Sequence, residues 1–265
     1  MSVLMQTSGP GCPSVDTPDG FSFTDAFKLI FEERESVNGG VCIGGLKNFA
    51  DLGVDHLKVS VIAMAIAIVI TLPVGLYLGH IRKGEFLAVT VSNIGRAIPS
   101  PALLAFFIAF LGLGLVNSSA VLALLAIPPI LTNTYVGVRQ VDAETVSAAR
   151  GVGLTELQII RQVELPLALS TIFAGIRTSA VAVVATATIV PLANTPSLGT
   201  PIIESQTYGE SGQLAGAIVV ALITLAVDAG LGLAQRMSIP KGLTVTQHVG
   251  RKRRFSLPTT ARTES

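Results

Sequence analysis

The sequence predicts an all-α fold, a polytopic integral membrane protein with about five transmembrane helices, on three observations. Half of the 265 residues are hydrophobic and 13% are charged, with a mean hydropathy of +0.65, far too apolar for a soluble domain of this length. Apolar stretches of about 20 residues recur, each able to cross a hydrocarbon core roughly 30 Å thick. Charged residues gather in the short segments between them. The net charge of +1 says little about partners; the placing of the charges says more.

Residues 1–56 form a polar N-terminal segment in which acidic residues outnumber Lys28, Arg34 and Lys47. No basic stretch leads into an apolar one, so the pattern is not that of a cleaved signal peptide. Apolar residues at 23, 26, 27 and 30 predict one short amphipathic helix between Phe21 and Phe31. Phe27-Lys-Leu-Ile-Phe31 also suits a helix lying in a membrane interface. The only cysteines, Cys12 and Cys42, can pair if the segment faces an oxidising compartment; two unrelated thiols fit equally well.

The first span is expected from Leu57 to Leu78, with Pro73 tolerated because neighbouring helices satisfy the freed carbonyl. His80-Ile-Arg-Lys83 is a basic turn. Phe86 to Ile98, with Asn93 and Arg96, is too short and polar to cross and reads as an interfacial helix. Pro99 and Pro101 force a kink before Ala102–Leu115. Ser119–Val138 is the next span, broken at Pro128 and Pro129 and followed by Asn133; the prolines either open a cavity or make a packing kink. Leu167–Leu192 and Leu214–Leu233 complete the set, joined by a Pro/Gly loop from Asn194 to Gln213. Residues 239–265 form a basic tail containing Arg251-Lys-Arg-Arg254, with 255–265 expected to be disordered.

Between the third and fourth spans lies the longest polar stretch. Asp142 can cap a short helix, its side-chain oxygen accepting from an orphan N–H of the first turn. Gly151 and Gly153 can end that helix at low conformational cost. Thr155 with Gln158 fits a capping box for a second helix, in which Leu157, Ile160 and Val163 recur at helical spacing. Pro166 is expected to push Leu165 out of the helical region and turn the chain.

The segment Ser147-Ala-Ala-Arg-Gly-Val-Gly153, with Val163-Glu-Leu-Pro166, resembles the EAA loop of permease subunits of bacterial ABC importers. In that family Glu-Ala-Ala is followed after three residues by Gly, and after nine more by Ile-x-Leu-Pro. Ala148, Ala149, Gly153, Val163 (for Ile), Leu165 and Pro166 fall in register, whereas Ser147 stands where Glu is usual. The resemblance implies that Ser147, Ala148, Ala149, Arg150, Gly151, Gly153, Leu154, Leu165 and Pro166 form a cytoplasmic coupling-helix loop that docks on a separate ATPase. It covers roughly residues 55–238, so the permease domain is taken as 57–238. Val163-Glu-Leu-Pro-Leu-Ala168, Ala174-Gly-Ile-Arg-Thr178 and Ala185-Thr-Ala-Thr188 resemble most the glycine betaine/carnitine/choline (osmoprotectant) branch. Asn194-Thr-Pro-Ser before Leu198-Gly199 departs from that branch, and a methionine- or amino-acid-type permease shares the same loop.

The positive-inside rule puts the N-terminus outside and the C-terminus in the cytoplasm. Arg82, Lys83, Arg139, Arg150, Arg161, Arg236 and the basic run fall on one side and the acidic N-terminal segment on the other. The resemblance implies cytoplasmic ABC ATPase subunits, an extracytoplasmic solute-binding protein, and a second permease copy or a paralogous permease, in a bacterial plasma (inner) membrane. It also implies that ATP and Mg bind the partner ATPase, with no cofactor on this chain.

Arg177 and Asp228 sit inside spans at similar depth and are expected to pair or to line the pathway; the alternative is local bonding and snorkelling. Pro99, Pro101, Pro128 and Asn133 are the other pathway or gating candidates. No G-x-x-x-x-G-K-[ST] motif is present, so ATP hydrolysis is not expected of this chain. His56, His80 and His248 have no Cys or carboxylate at metal-ligand spacing, so no metal site is expected. A basic run beside a final span marks the cytoplasmic side rather than a nucleic-acid partner. A stand-alone channel or secondary transporter is the rival from another class.

Overall fold

The computed structural model describes residues 12, 22–86, 90 and 98–238. The interfacial helix expected over 86–98 and the basic tail at 239–265 lie largely or wholly outside these residues. The first described elements are α1 (Phe23–Phe31) and a two-stranded antiparallel hairpin, β1 (Glu33–Glu35) with β2 (Cys42–Gly44). The hairpin was not expected from the sequence. It turns through Gly39 and Gly40, both at positive φ, and closes through the Ser36 N–H to the Val41 carbonyl. Cys12 and Cys42 form a disulfide, the first of the two alternatives left open above.

Gly44 and Gly45, at positive φ, turn the chain directly into α2 (Gly45–His80). This helix starts well before Leu57 and runs unbroken through residue 57. Its buried stripe, Val59, Ala63, Ala67, Thr71, Gly75 and Gly79, repeats every fourth residue and narrows toward the C-terminal end. Lipid offers no hydrophobic drive between helices, so small residues that allow close approach supply the packing. Opposite them lies α4 (Leu115–Arg139): a Cβ at Gly79 would sit 2.6 Å from the Val138 Cβ.

α3 (Ser100–Leu111) begins at Pro99 and Pro101 and stops at Leu111 rather than Leu115, because Gly112 and Gly114 take positive φ. Its 12 residues cover about 18 Å. Among the described residues four helices are long and apolar enough to cross a membrane, and α3 is a shorter fifth apolar helix. α4 starts at Leu115, earlier than expected, and stays helical through Pro128 and Pro129.

After the polar loop, α7 (Leu165–Thr186) tightens into a 3-10 segment over Ala187–Ala193. The segment from Asn194 is not an open Pro/Gly loop. It holds the short helix α8 (Thr200–Ile203) and then α9 (Ser205–Ser238), kinked at Gly209 (φ 68°). The 194–199 turn is locked by Ser118 to Thr195 and by the Ser197 hydroxyl donating to the Ala187 carbonyl.

The contacts sort the elements onto two ends. His80 and Arg82 meet the polar loop, and Gln235 donates to the Ser170 carbonyl near the start of α7. At the opposite end the Gly114 N–H donates to Ala193, and Arg34 of the hairpin donates to the Tyr208 carbonyl.

Candidate functional site

The polar loop folds as two short helices with a small core of their own. α5 (Ala143–Gly151) is capped by Asp142, whose side chain accepts from the Glu144 N–H. Gly153 takes φ +91°, the left-handed turn for which glycine is suited. Thr155 and Gln158 form the full capping box at the start of α6 (Glu156–Ile159). Val141, Val146, Ala149 and Ile159 make the core, with Leu154 and Val163 packed on it. The buried residue of α6 is therefore Ile159; Leu157, expected on the apolar face, is exposed.

The chain does not turn at Pro166. Leu165 is helical (φ −60°, ψ −49°), and α7 follows directly from a wide π turn at Ile160–Glu164. The Leu165 N–H reaches back to the Ile160 carbonyl across that turn. The extra residue shifts the preceding carbonyls away from the proline ring, which has no N–H of its own to satisfy. The loop is thus joined rigidly to a membrane helix.

Of the residues the sequence singled out, Ser147, Ala148, Arg150, Gly151 and Gly153 are exposed, whereas Ala149 is buried in the loop core. Leu154, Leu165 and Pro166 are half-buried. Sequence reasoning missed Val152, which is 80% exposed and lies beside Gly151 and Gly153. Apart from Arg150, the exposed residues of this set are small or apolar.

A charged network at the back of the loop was also missed. Arg150 clamps Glu156 with two 2.8 Å hydrogen bonds, and Glu156 holds the guanidinium pKa above its ordinary value, first by those bonds and then by charge. His80, at the end of α2, places Nε2 3.0 Å from Glu156 and Nδ1 2.8 Å from Glu164, which is buried in the π turn. Carboxylates accept but do not donate, so both contacts are satisfied when each imidazole nitrogen carries a hydrogen. Arg82 adds a hydrogen bond to the Val141 carbonyl. The one sequence signal was a basic turn exposed next to a span, with nothing to say which carboxylates it meets.

A second polar feature lies within the spans. Arg177 of α7 and Asp228 of α9 pair through two hydrogen bonds of 2.5 and 2.6 Å. Gly232, one turn past Asp228, leaves room for the guanidinium: a Cβ there would lie 3.3 Å from Arg177 Nη1. The Asn133 side chain donates to the Pro129 carbonyl, and Gly175 of α7 packs against both residues. Pro128 is buried in the same helix, and Pro99 and Pro101 open α3 at a separate place.

A multi-span helical membrane protein that carries a folded helix pair, fixed to two of its long helices, has the build of a transporter's permease subunit. The chain belongs to the family of binding-protein-dependent transport system inner membrane components, whose family model matches residues 56–241. It is 36% identical over 190 residues to the glycine betaine/carnitine/choline transport system permease protein OpuCB of Bacillus subtilis, covering 71% of this chain and 88% of that one. It is 35% identical over 190 residues to the choline transport system permease protein OpuBB of the same organism, with the same coverage. To the carnitine transport permease protein OpuCB of Listeria monocytogenes it is 36% identical over 196 residues, 74% of this chain and 90% of that one. A solved structure of the MetNI methionine ABC transporter, in an inward-facing conformation, superposes with a TM-score of 0.64 at 20% identity. It covers 74% of this chain and 98% of the other, and shares the fold.

Proposed function

We propose that this chain moves a small quaternary-ammonium osmoprotectant, of the glycine betaine, choline or carnitine kind, through an ABC importer. ATP and Mg act on a separate ATPase, and an external binding protein delivers the solute. The observation that carries the reading is the folded loop, whose exposed face of Ser147, Ala148, Gly151, Val152, Gly153 and Leu157 suits close docking by another protein. A push on that face has a rigid route inward, through the π turn into α7 and through His80 into α2. Movement of these helices would alternate the pathway between two open states, coupled to ATP at a distant site. Residues 57–238 would form the transporting unit, paired with a second copy or a related permease. The end bearing the loop and the C-terminus would be cytoplasmic, since it carries Arg82, Arg150, Arg161 and Arg236.

The test is co-purification with the ATPase in mild detergent, comparing wild type with Ala148→Arg and Leu157→Arg, both exposed. Ala149→Arg is a poor probe because Ala149 lies in the loop core. Loss of the ATPase from the variants, with the fold intact, supports the coupling role; full recovery overturns it. Uptake of labelled glycine betaine, choline, carnitine and methionine by the reconstituted complex then assigns the solute. Uptake without any ATPase would favour a self-contained transporter.

A further inference from the structure

The N-terminal unit is outside the matched family region, and its helix α1 divides its surface in three. Ala26, Leu29 and Ile30 are buried against Phe49 and Leu52 of α2 and Ala215 and Val220 of α9. At about 100° per residue, the Phe23, Phe27 and Phe31 row lies roughly 110° around the helix from that buried face. Asp25 falls on the opposite flank, with Thr24 and Lys28 between. The three phenylalanines are exposed, and the rings of Phe27 and Phe31 meet at 5.3 Å.

The position of α1 is fixed. Arg34 just after it donates to the Tyr208 carbonyl at 2.8 Å and to the Ser211 hydroxyl at 2.5 Å. The Val37 N–H donates to Thr207, and the Cys12–Cys42 disulfide closes the unit on itself. Residues 211–227 of α9 carry no charge, and Ala215 and Val220, which seat α1, lie within that run. The helix therefore packs beside the first turns of a membrane span, where Leu222 and Leu225 of the same span are themselves exposed.

We propose that α1 is a membrane-interface helix, with the flank bearing Phe27 and Phe31 inserted at the boundary of headgroups and acyl chains, Lys28 at headgroup level and Asp25 toward water. The uncharged run of α9 begins at the end where α1 is seated, which brings this flank to the boundary of the bilayer. An amphipathic helix pinned in the interface plane gains from apolar burial without crossing. It would fix the outer ends of α2 and α9 relative to the bilayer. This rests on the chain being a membrane protein and not on which solute it moves.

The sequence contains no tryptophan, so Phe27→Trp installs a single indole reporter in the full chain. Reconstituted into phosphatidylcholine bilayers, its emission should be blue-shifted, quenched by lipids brominated on the acyl chain, and protected from iodide. Phe31→Trp should behave alike, and Asp25→Trp should show the reverse. Retention of the disulfide and of the gel-filtration position identifies the folded variants, and either phenylalanine position suffices. Iodide quenching of Phe27→Trp with no effect of brominated lipid overturns the proposal. So does protection that appears only on adding the solute-binding protein or on permease dimerisation, which would give the flank to a protein partner.

Discussion

Asp228 of α9 receives two hydrogen bonds from one guanidinium, that of Arg177 on α7, and so ties two antiparallel membrane helices together within the span. A two-point fork of this kind fixes orientation as well as distance. Removing one partner strands the other within a span, where a lone charge is costly. Arg177→Leu and Asp228→Leu should each lower the thermal stability of the detergent-solubilised protein, and the double variant should regain most of the loss. Transport separates the two roles: if the double variant is stable but inactive, the pair serves the pathway, and if it transports, the pair serves the fold.

The spans, the Asp142 cap, the Thr155–Gln158 capping box and the turn at Gly153 were legible because each depends on residues close in sequence. The partnership of Arg177 and Asp228 was only half legible. Counting residues gave them similar depth, but the rotation of each helix, which decides whether they face one another, is set by packing, of α7 against α2 and α4 and of α9 against α7, α8 and α1. His80 was not legible at all, since Glu164 lies 84 residues away in a turn whose π geometry no local pattern announced. The misjudged turn at Pro166 has the same cause. The proline rule assumes a preceding helical turn of ordinary width, and here that turn is wider. The hairpin at Glu33–Gly44 escaped because its strands are three residues each, too short to show alternation.

His80 holds the buried carboxylate of Glu164 and also reaches Glu156, so it links α2 to α6 and to the π turn that follows it. Removing one partner of a buried hydrogen bond costs about 1–3 kcal/mol, because the survivor is left unsatisfied. His80→Ala should therefore destabilise strongly, and His80→Ala with Glu164→Gln should be less destabilised than the sum of the two single changes. A double-mutant cycle on thermal unfolding reads that coupling. Additive effects would mean that the contact is incidental.

Gly75 and Gly79 of α2 face Thr134 and Val138 of α4, and an added Cβ would approach their side chains to 2.8 and 2.6 Å. Neither neighbour can retreat without moving α4, because β-branched side chains have few rotamers in a helix. Overpacking of this kind costs about 1–3 kcal/mol per site. Gly79→Ala should lower the unfolding temperature in detergent, and Val138→Ala added to it should restore part of the loss. No rescue would show that the glycine matters for some reason other than the close approach.

Gly199 and Gly151 make opposite cases. A Cβ at Gly199 would lie within 1.8 Å of the Thr188 carbonyl oxygen, a backbone atom at the start of the tightened 3-10 turn that cannot step aside. The segment leading to Gly199 is held by buried Ser197, which bonds the Ala187 carbonyl, and by buried Leu198. Gly199→Ala should abolish folded protein, read as loss of a monodisperse peak in gel filtration. No side-chain truncation nearby should rescue it. Gly151 ends α5 with helical backbone and open space where a Cβ would go. Gly151→Ala should therefore stabilise the loop, by up to about 0.5–1 kcal/mol, through reduced backbone entropy in the unfolded chain. Since the same Cβ projects from the face proposed to dock on the ATPase, unchanged or raised stability with weaker ATPase recovery would separate the folding of the loop from its use.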